Sequence, residues 1–348
     1  MFNYKNLVFA IYLILSSHFT YANTSINHGP IGVMGDHFHE KGELMISLRV
    51  SNMEMKKNIF NGTTISDKEI LNQPNPFSQL QKKLSVIPKK MTMKMIMLGA
   101  MYAPSDKITL MTMAMFEDKE MTLGTHSMMM NRKFLGSFET SSSDISKISL
   151  SALYKLKENN KSRWHLTLGL EKSVAQDTKK GKVLTPMNME SSMILPYGMQ
   201  NGDKSWRIIA GLTNVIKLNN YIIGNQFISN SVIDGKEWYF GNKWQYNLWF
   251  QGLFNDKASY SIRLNYNEED NINGRNASIM APVQTANPVN YGGEILNLGL
   301  GFNFITNIFG GNKFDRFGIE FIQPLDQEKN GLQMKDKFKI MIGFQKSL

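Results

Sequence analysis

Methionine recurs at every second position in one stretch of the chain, and its thioether sulfur can bind Cu(I) or contact aromatic rings. The chain contains 24 methionines and no cysteine. In residues 91–118, MTMKMIMLGAMYAPSDKITLMTMAMFED, the alternation breaks at APSD and then resumes. A spacing of two is the period of a β-strand, so this stretch predicts a hairpin with methionine on one face of each arm.

Two histidines form the second candidate site. His37 and His39 in GDHFHEKGE share a face if the segment is extended, which permits metal ligation. The alternative is a hydrogen-bonded N-terminal segment that folds into the mouth of a barrel. A hydrolase would need a base beside its nucleophile, and His126 precedes Ser127 in GTHSMMMNR. Because neighbouring strand residues point to opposite faces, we expect no enzymatic activity.

The bulk composition excludes several classes of protein. The net charge of +10 comes from 39 basic and 29 acidic residues, and the basic residues are scattered rather than clustered, so we expect no nucleic-acid partner. Residues 1–22 have the charged, apolar and small-residue order of a signal peptide, with cleavage predicted after Ala22. The rest of the chain lacks the run of ~20 apolar residues that a membrane helix needs.

Strand-like alternation recurs through the remaining sequence. Short connections (APSD, KENN, KLN, NDK and NIFGGNK) alternate with longer polar ones, as in outer-membrane barrels. The predicted strands are residues 43–55, 91–102, 107–117, 144–157, 162–173, 203–217, 220–231, 241–254, 257–267, 294–306, 314–323 and 334–346. The predicted longer connections are residues 56–90, 118–143, 174–202, 232–240, 268–293 and 324–333.

These patterns predict an all-β fold, a single antiparallel transmembrane β-barrel of about 12 strands in the bacterial outer membrane. The predicted parts are the signal peptide 1–22, an N-terminal segment 23–42 near the periplasmic mouth that is a candidate plug, and the barrel 43–348. The expected partners are outer-membrane lipid, a small-molecule solute and the outer-membrane assembly machinery. The alternative fold is a secreted β-sandwich, whose loops do not normally fall into two length classes.

Arg49 identifies the inner face. Leu44, Ile46 and Leu48 share one face of the first strand, and Arg49 lies on the other. An arginine that faces lipid near mid-membrane costs about 2–4 kcal/mol, so the face with Arg49 is predicted to line the lumen. The predicted solute path is Met45, Arg49, Met53, Met55, Met91, Met93, Met95, Met97, Met101, Met111, Met113 and Met115.

Several segments also carry a family resemblance. PIGVMGDHFHEKGELMISLRVSNMEM, MTMKMIMLGAMYAPSDKITLMTMAMF, SFETSSSDISKISLSALYKL, ILPYGMQNGDKSWRIIAGLTN and NINGRNASIMAPVQTANPVNYGGEILNLGLGFNFI together resemble the phenol-degradation meta-pathway (MetA) family of outer-membrane proteins, from about Pro30 onward. The resemblance implies an outer-membrane barrel with a role in uptake or export. It implies no particular substrate.

The inner methionines admit three interpretations. They could line a path for small apolar or aromatic solutes, through contacts between sulfur and ring. They could bind Cu(I), joined by His37, His39 or His126, in a copper-related protein. They could also only fill a narrow interior or pack against a plug. A structural or adhesive barrel without transport is the remaining function class.

Overall fold

The chain forms a closed ring of antiparallel strands. The computed structural model describes residues 25–78, 80–129, 131–308 and 315–348, and the predicted signal peptide lies outside them. Within these residues a thirteen-stranded sheet closes on itself, and its short strand Thr63–Ile65 pairs only with the first long strand. The barrel strands are β1 (Leu44–Phe60), β2 (Val86–Ser105), β3 (Ile108–His126), β4 (Phe134–Glu158), β5 (Ser162–Ser173), β6 (Trp206–Leu218), β7 (Tyr221–Asp234), β8 (Lys243–Asn255), β9 (Ala258–Glu269), β10 (Gly293–Thr306), β11 (Asp315–Lys329) and β12 (Leu332–Ser347). The predicted all-β antiparallel barrel of twelve strands is confirmed.

The two faces of each strand differ in polarity, as a wall between lipid and lumen requires. On β1 the side chains of Leu44, Ile46 and Leu48 are 36–44% exposed, whereas Arg49 is 3% exposed. Outward apolar side chains encircle the barrel and form an apolar belt. One member from each strand is Leu48, Leu98, Leu110, Leu150, Leu168, Ile208, Phe227, Leu248, Ile262, Leu300, Ile319 and Ile342.

Lys94 lies on the outer face, where a lysine at mid-membrane depth would be costly. Its neighbours in register are Asn52 on β1 and Asp118 on β3, which are also polar outer-face residues. Lys94 therefore lies at the margin of the apolar belt, next to these polar neighbours and beyond Ile96, and not within the belt.

The two ends of the barrel differ in their connections. At one end, here called the turn end, the connections are short: residues 106–107, 159–161, 219–220 and 256–257. At the opposite end, called the loop end, residues 61–85, 174–205 and 270–292 form long connections. The loop end contains a four-residue helix α1 (Asp67–Ile70), a hairpin of Lys180–Leu184 with Glu190–Ile194, and a short pairing of Trp238–Tyr239 with Asn273–Gly274.

Two predicted long connections are wrong. Residues 118–143 belong mostly to β3 and β4, which pair as far as His126 and Phe134, and residues 324–333 belong mostly to β11 and β12. Above the apolar belt the outer face of a strand no longer meets lipid, so its outward residues are polar: Glu120 pairs with Ser141 and Thr122 with Glu139. Only the inner face still carries apolar side chains there, such as Met121 and Leu123. Polar composition alone therefore made paired strands look like loops.

Residues 25–43, here called the N-terminal segment, lie inside the barrel near the turn end. The amide of Ser25 donates to Asp256 O (3.2 Å), and that of Gly42 donates to Ala103 O (2.8 Å). The segment is irregular, with a 3-10 turn at Ser25–Asn27, a turn in which Val33 N donates to Pro30 O (2.9 Å), a bend at Gly35 and a turn in which Glu43 N donates to Glu40 O (3.0 Å). Among the described residues, no helix reaches the length and apolarity needed to span a membrane.

Candidate functional site

The barrel wall holds the N-terminal segment by hydrogen bonds to its backbone. His165 Nε2, on β5, lies 2.8 Å from Gly35 O, and Gln226 Nε2, on β7, donates to Met34 O at 2.8 Å. Backbone carbonyls buried in a barrel need such partners, because water does not reach them freely. Polar side chains on the inner face of the wall thus lie where the backbone carbonyls of this segment need hydrogen-bond donors.

Apolar contacts fix the same segment on one side of the lumen. Ile26 and Val33 pack with Val215, Ile222 and Trp249, all of which are nearly fully buried. Trp249 is 1% exposed, and Leu253 on the same inner face of β8 packs against this group. Burial of these side chains is a favourable contribution to docking of the segment, at about 25 cal/mol per Å² of apolar surface.

On the opposite side the segment meets the methionines. Ile31 packs with Met97 and Met341, and Met113 and Met115 lie against this group. Unbranched thioether side chains adapt to irregular gaps, so they suit a surface against which an irregular segment must pack. These methionines therefore contact protein rather than open lumen.

The twelve predicted path residues all lie on the inner face, but they divide into groups. Met45, Met101 and Met111 pack with Leu153 near the turn end. Met91 belongs to an apolar cluster at the loop end, and Met55 packs against it. This loop-end cluster consists of Val86, Met91, Met121, Leu123, Leu195, Tyr197, Met199, Trp238, Ile272, Ile279, Val283, Ala286 and Met334.

Met53, Met93 and Met95 lie between these packed groups. Met53 pairs in register with Met93, and Met95 pairs with Ser51. All three methionines are half-buried on the inner face, and none belongs to an apolar cluster of the described residues. Their exposed atoms therefore border the open interior between the N-terminal segment and the loop-end cluster.

The loop-end cluster encloses an apolar cavity of about 40 Å³. Its lining combines the upper ends of β2 to β4 with the hairpin of residues 180–194 and with residues 281–283. Met121 and Met199 contribute thioethers to this lining. A larger cavity of about 240 Å³ lies nearby, between the connections 61–85 and 270–292. Apolar space thus exists on the loop-end side of the exposed methionines.

The two predicted metal-ligating histidines have different surroundings. His37 lies with His28 and Asp36, and one ligand atom from each of these three residues lies within 4.8 Å of the others. The ring of His39 lies edge-on to that of His37, with centroids 4.9 Å apart, and its Nδ1 is 3.0 Å from Glu43 Oε2. Sequence reasoning did not single out His28, because the turn that brings it to Asp36 and His37 leaves no periodic signal.

Burial governs the protonation of this histidine group. Burial lowers the pKa of His28 and of His37 below the usual histidine range. For Asp36, burial acts to raise the pKa, but His37, Arg316 and His28 together outweigh burial and hold the pKa well below its usual range. The group therefore combines neutral imidazoles with an ionised carboxylate, the states in which these residues ligate metals.

His126 and Ser127 do not form a catalytic arrangement with each other. Ser127 Oγ accepts from the amide of Met129 at 3.1 Å, and the His126 ring packs edge-to-face on Phe134, with centroids 5.3 Å apart. Both residues lie at the loop end, where β3 stops.

The fold has a solved counterpart. The chain superposes on the COG4313 outer membrane channel from Pseudomonas putida F1 with a TM-score of 0.56 and 14% identity, over 91% of this chain and 100% of that chain. A FadL homologue of Pseudomonas aeruginosa aligns with a TM-score of 0.40 and 8% identity over 88% and 90% of the two chains, too low to carry an argument. The toluene transporter TodX of P. putida aligns equally poorly, with a TM-score of 0.41 and 9% identity over 89% and 91%.

No family model and no curated protein matches the sequence. The closed antiparallel barrel, with its apolar belt and two classes of connection, is that of a bacterial outer-membrane protein. In such barrels the short turns are periplasmic and the long loops extracellular. The resemblance to the MetA family stays a prediction.

Proposed function

We propose that the protein is an outer-membrane transporter that carries small apolar or aromatic solutes through its methionine-lined interior, without catalysis. The observation that carries this proposal is the position of Met53, Met93 and Met95, which border open interior between two packed zones. Contacts between a thioether and an aromatic ring are each favourable by ~0.3–1.5 kcal/mol, which suits weak, reversible binding along a path.

The proposal assigns the N-terminal segment the role of a plug. It occupies the interior near the turn end and is held by side chains from opposite sides of the barrel, such as Trp249 and Met97. A solute that entered from the loop end would reach the exposed methionines before it met the segment. Passage into the periplasm would then need the segment to move or to leave a gap beside it.

The test is uptake of toluene by intact cells of a Gram-negative host, whose lipopolysaccharide leaflet slows apolar solutes. Changing Met53, Met93 and Met95 together to Leu keeps apolarity and volume, since such swaps usually cost under ~1.5 kcal/mol each. We expect uptake close to the wild-type rate in this variant. Changing the same three residues to Gln keeps the length but adds polar amides, and should lower uptake at least about tenfold.

A matched control uses methionines away from the interior. Met187 and Met189 are 66% and 59% exposed in the hairpin connection of the loop end. Changing both to Gln should leave toluene uptake unchanged. Equal uptake by the interior Gln variant and the wild type, at equal amounts of folded protein in the membrane, would reject the methionine path. Loss of uptake in the Leu variant would instead indicate that the sulfur atoms themselves, and not only the apolarity of the side chains, contact the solute.

A further inference from the structure

We propose that His28, Asp36 and His37 form a binding site for a divalent first-row transition metal such as Zn²⁺, within the N-terminal segment. The three residues come from the ten-residue stretch 28–37, and one ligand atom from each lies within 4.8 Å of the others. His37 Nδ1 is 3.0 Å from Asp36 Oδ1, and the rings of His28 and His37 have centroids 4.4 Å apart. This site is independent of the proposed transport.

The local chain geometry assembles the donors. Asp36 Oδ2 accepts from Gly29 N at 2.6 Å, which ties the residue after His28 to the residue before His37. Gly35 has a φ of +60°, a conformation that residues other than glycine rarely adopt, and this lets the chain turn back at that point. The backbone therefore holds Asp36 Oδ2, while Oδ1 faces the His37 ring, and a carboxylate beside a histidine in this way orients metal ligands in proteins.

The histidine nitrogens lack other partners. Within the part of the chain that the structure describes, neither His37 Nε2 nor His28 Nδ1 has a hydrogen-bond partner, although both atoms are shielded from solvent. His37 as a whole is only 6% exposed. Buried polar atoms are normally paired, so an unpaired imidazole nitrogen beside a carboxylate points to a ligand.

The donor set indicates the class of metal. Two imidazoles and one carboxylate suit Zn²⁺ and its first-row neighbours, and three protein ligands leave one tetrahedral position open. Two ligands about 2.1 Å from such an ion lie roughly 3.4 Å apart, so the widest separation in the group must shorten on binding. Rotation of the His28 side chain, which is half-buried, can supply that change.

Two arginines near the site further restrict which metal ions it can bind. Arg163 donates to Asp36 O at 3.2 Å, and Arg316 donates to Gly29 O. Their positive charge repels a cation held by charge alone, which disfavours Ca²⁺ and Mg²⁺ with their preference for several oxygen ligands. A metal bound through imidazole nitrogen depends less on net charge. The site should therefore select Zn²⁺ over the hard cations.

The test uses the complete protein in detergent, stripped with a chelator and titrated with Zn²⁺ against a zinc-sensitive dye. We expect about one Zn²⁺ per chain, at least about tenfold weaker binding in His28→Ala and in His37→Ala, and no competition by Mg²⁺. His126→Gln changes a histidine at the loop end, away from the site, and serves as the control that should bind like the wild type. Absence of Zn²⁺ binding by the wild type, or undiminished binding by His37→Ala, would overturn the proposal.

A spectroscopic readout guards against loss of binding through misfolding. Variants are first required to show the heat-dependent mobility of a closed barrel on unboiled gels. Cu²⁺ is then added as a probe, and its electron paramagnetic resonance spectrum should show nitrogen coupling in the wild type. A folded His28→Ala, His37→Ala double variant should lack this coupling. If the double variant retains it, the nitrogen ligands are elsewhere and the assignment is wrong.

Discussion

Arg263 and Glu320 form a two-point ion pair inside the barrel, with Nε to Oε1 at 2.8 Å and Nη2 to Oε2 at 3.1 Å. The two residues lie on β9 and β11, and the pair spans Gly299 on β10, where an added Cβ would come within 2.3 Å of Glu320 Oε1. Glu320 Oε2 also accepts from the amide of Gly32 at 2.9 Å. One carboxylate thus joins the wall to the N-terminal segment.

Replacing Glu320 by Gln keeps the side-chain shape but leaves Arg263 buried without its counter-charge. We expect the free energy of unfolding to fall by about 3–5 kcal/mol, the usual result of breaking a buried pair. Urea unfolding in lipid vesicles measures the change. Glu269→Gln is the control, because its pair with Lys243 (2.9 Å) is partly exposed and should contribute at most about 1 kcal/mol. Equal losses in the two variants would contradict the buried role of Glu320.

A lysine on the apolar belt should destabilise the barrel according to its depth. Leu150 is 61% exposed on the outer face of β4, midway along the belt, and Leu150→Lys should cost about 2–4 kcal/mol. Leu156 lies on the same face of the same strand, close to the turn end, and Leu156→Lys should cost at most about 1 kcal/mol. Unfolding in vesicles gives both values. Equal costs at the two sites would show that the belt is misplaced along the strand.

The orientation of the barrel can be tested with single cysteines. Met187 lies in a long connection and is 66% exposed, and Asn160 is exposed in the short connection between β4 and β5. A cysteine in place of Met187 should react with an impermeant maleimide on intact cells, since long loops are extracellular. A cysteine in place of Asn160 should react only after the cells are broken. Labelling of the Asn160 variant on intact cells would invert the topology.

Gly224 provides the space that the Trp249 indole occupies. A Cβ at Gly224 would lie 2.0 Å from Cε2 and Cζ2 of that ring, so Gly224→Ala must displace the indole. Because Trp249 packs with Ile26 and Val33, we expect a changed near-ultraviolet dichroism and a loss of about 1–3 kcal/mol from overpacking. Asn225→Ala alters the adjacent outward residue, which accepts from the Tyr246 hydroxyl at 2.8 Å, and should leave the tryptophan bands unchanged. An unchanged spectrum in Gly224→Ala would mean that the indole is not held there.

The part of the fold within the membrane could be predicted because lipid demands an apolar outer face. Each membrane-spanning strand therefore has an apolar residue at every second position. Arg49 then distinguishes the inner face from the outer one. The ends of β3 and β4 that extend beyond the membrane do not contact lipid, so their outer face need not be apolar. There Glu120 and Ser141 pair through their backbones, and nothing in their side chains distinguishes a polar strand from a polar loop.

The site could be predicted only in part. The alternation of residues along each strand placed the methionines on the inner face. Their division into packed and exposed groups depends on Ile31 and Leu195, which lie in irregular segments. The same alternation, applied to an extended chain, grouped His37 with His39. The structure does keep these two rings close, with centroids 4.9 Å apart. The turn after Pro30 and the backward bend at Gly35 bring His28 to His37 as well, and such bends are set by tertiary contacts.

The unequal length of the strands gives the molecule an eccentric outline. Residues 134–143 of β4, ten in all, extend beyond Lys147, the last residue of β4 that pairs with β5, and have β3 paired beside them. At about 3.3 Å per residue and the usual strand tilt, that wall rises on the order of 25 Å from one side of the ring. The height of the protein above the membrane therefore differs from one side of the barrel to the other. An atomic-force topograph should record a protrusion displaced from the barrel axis.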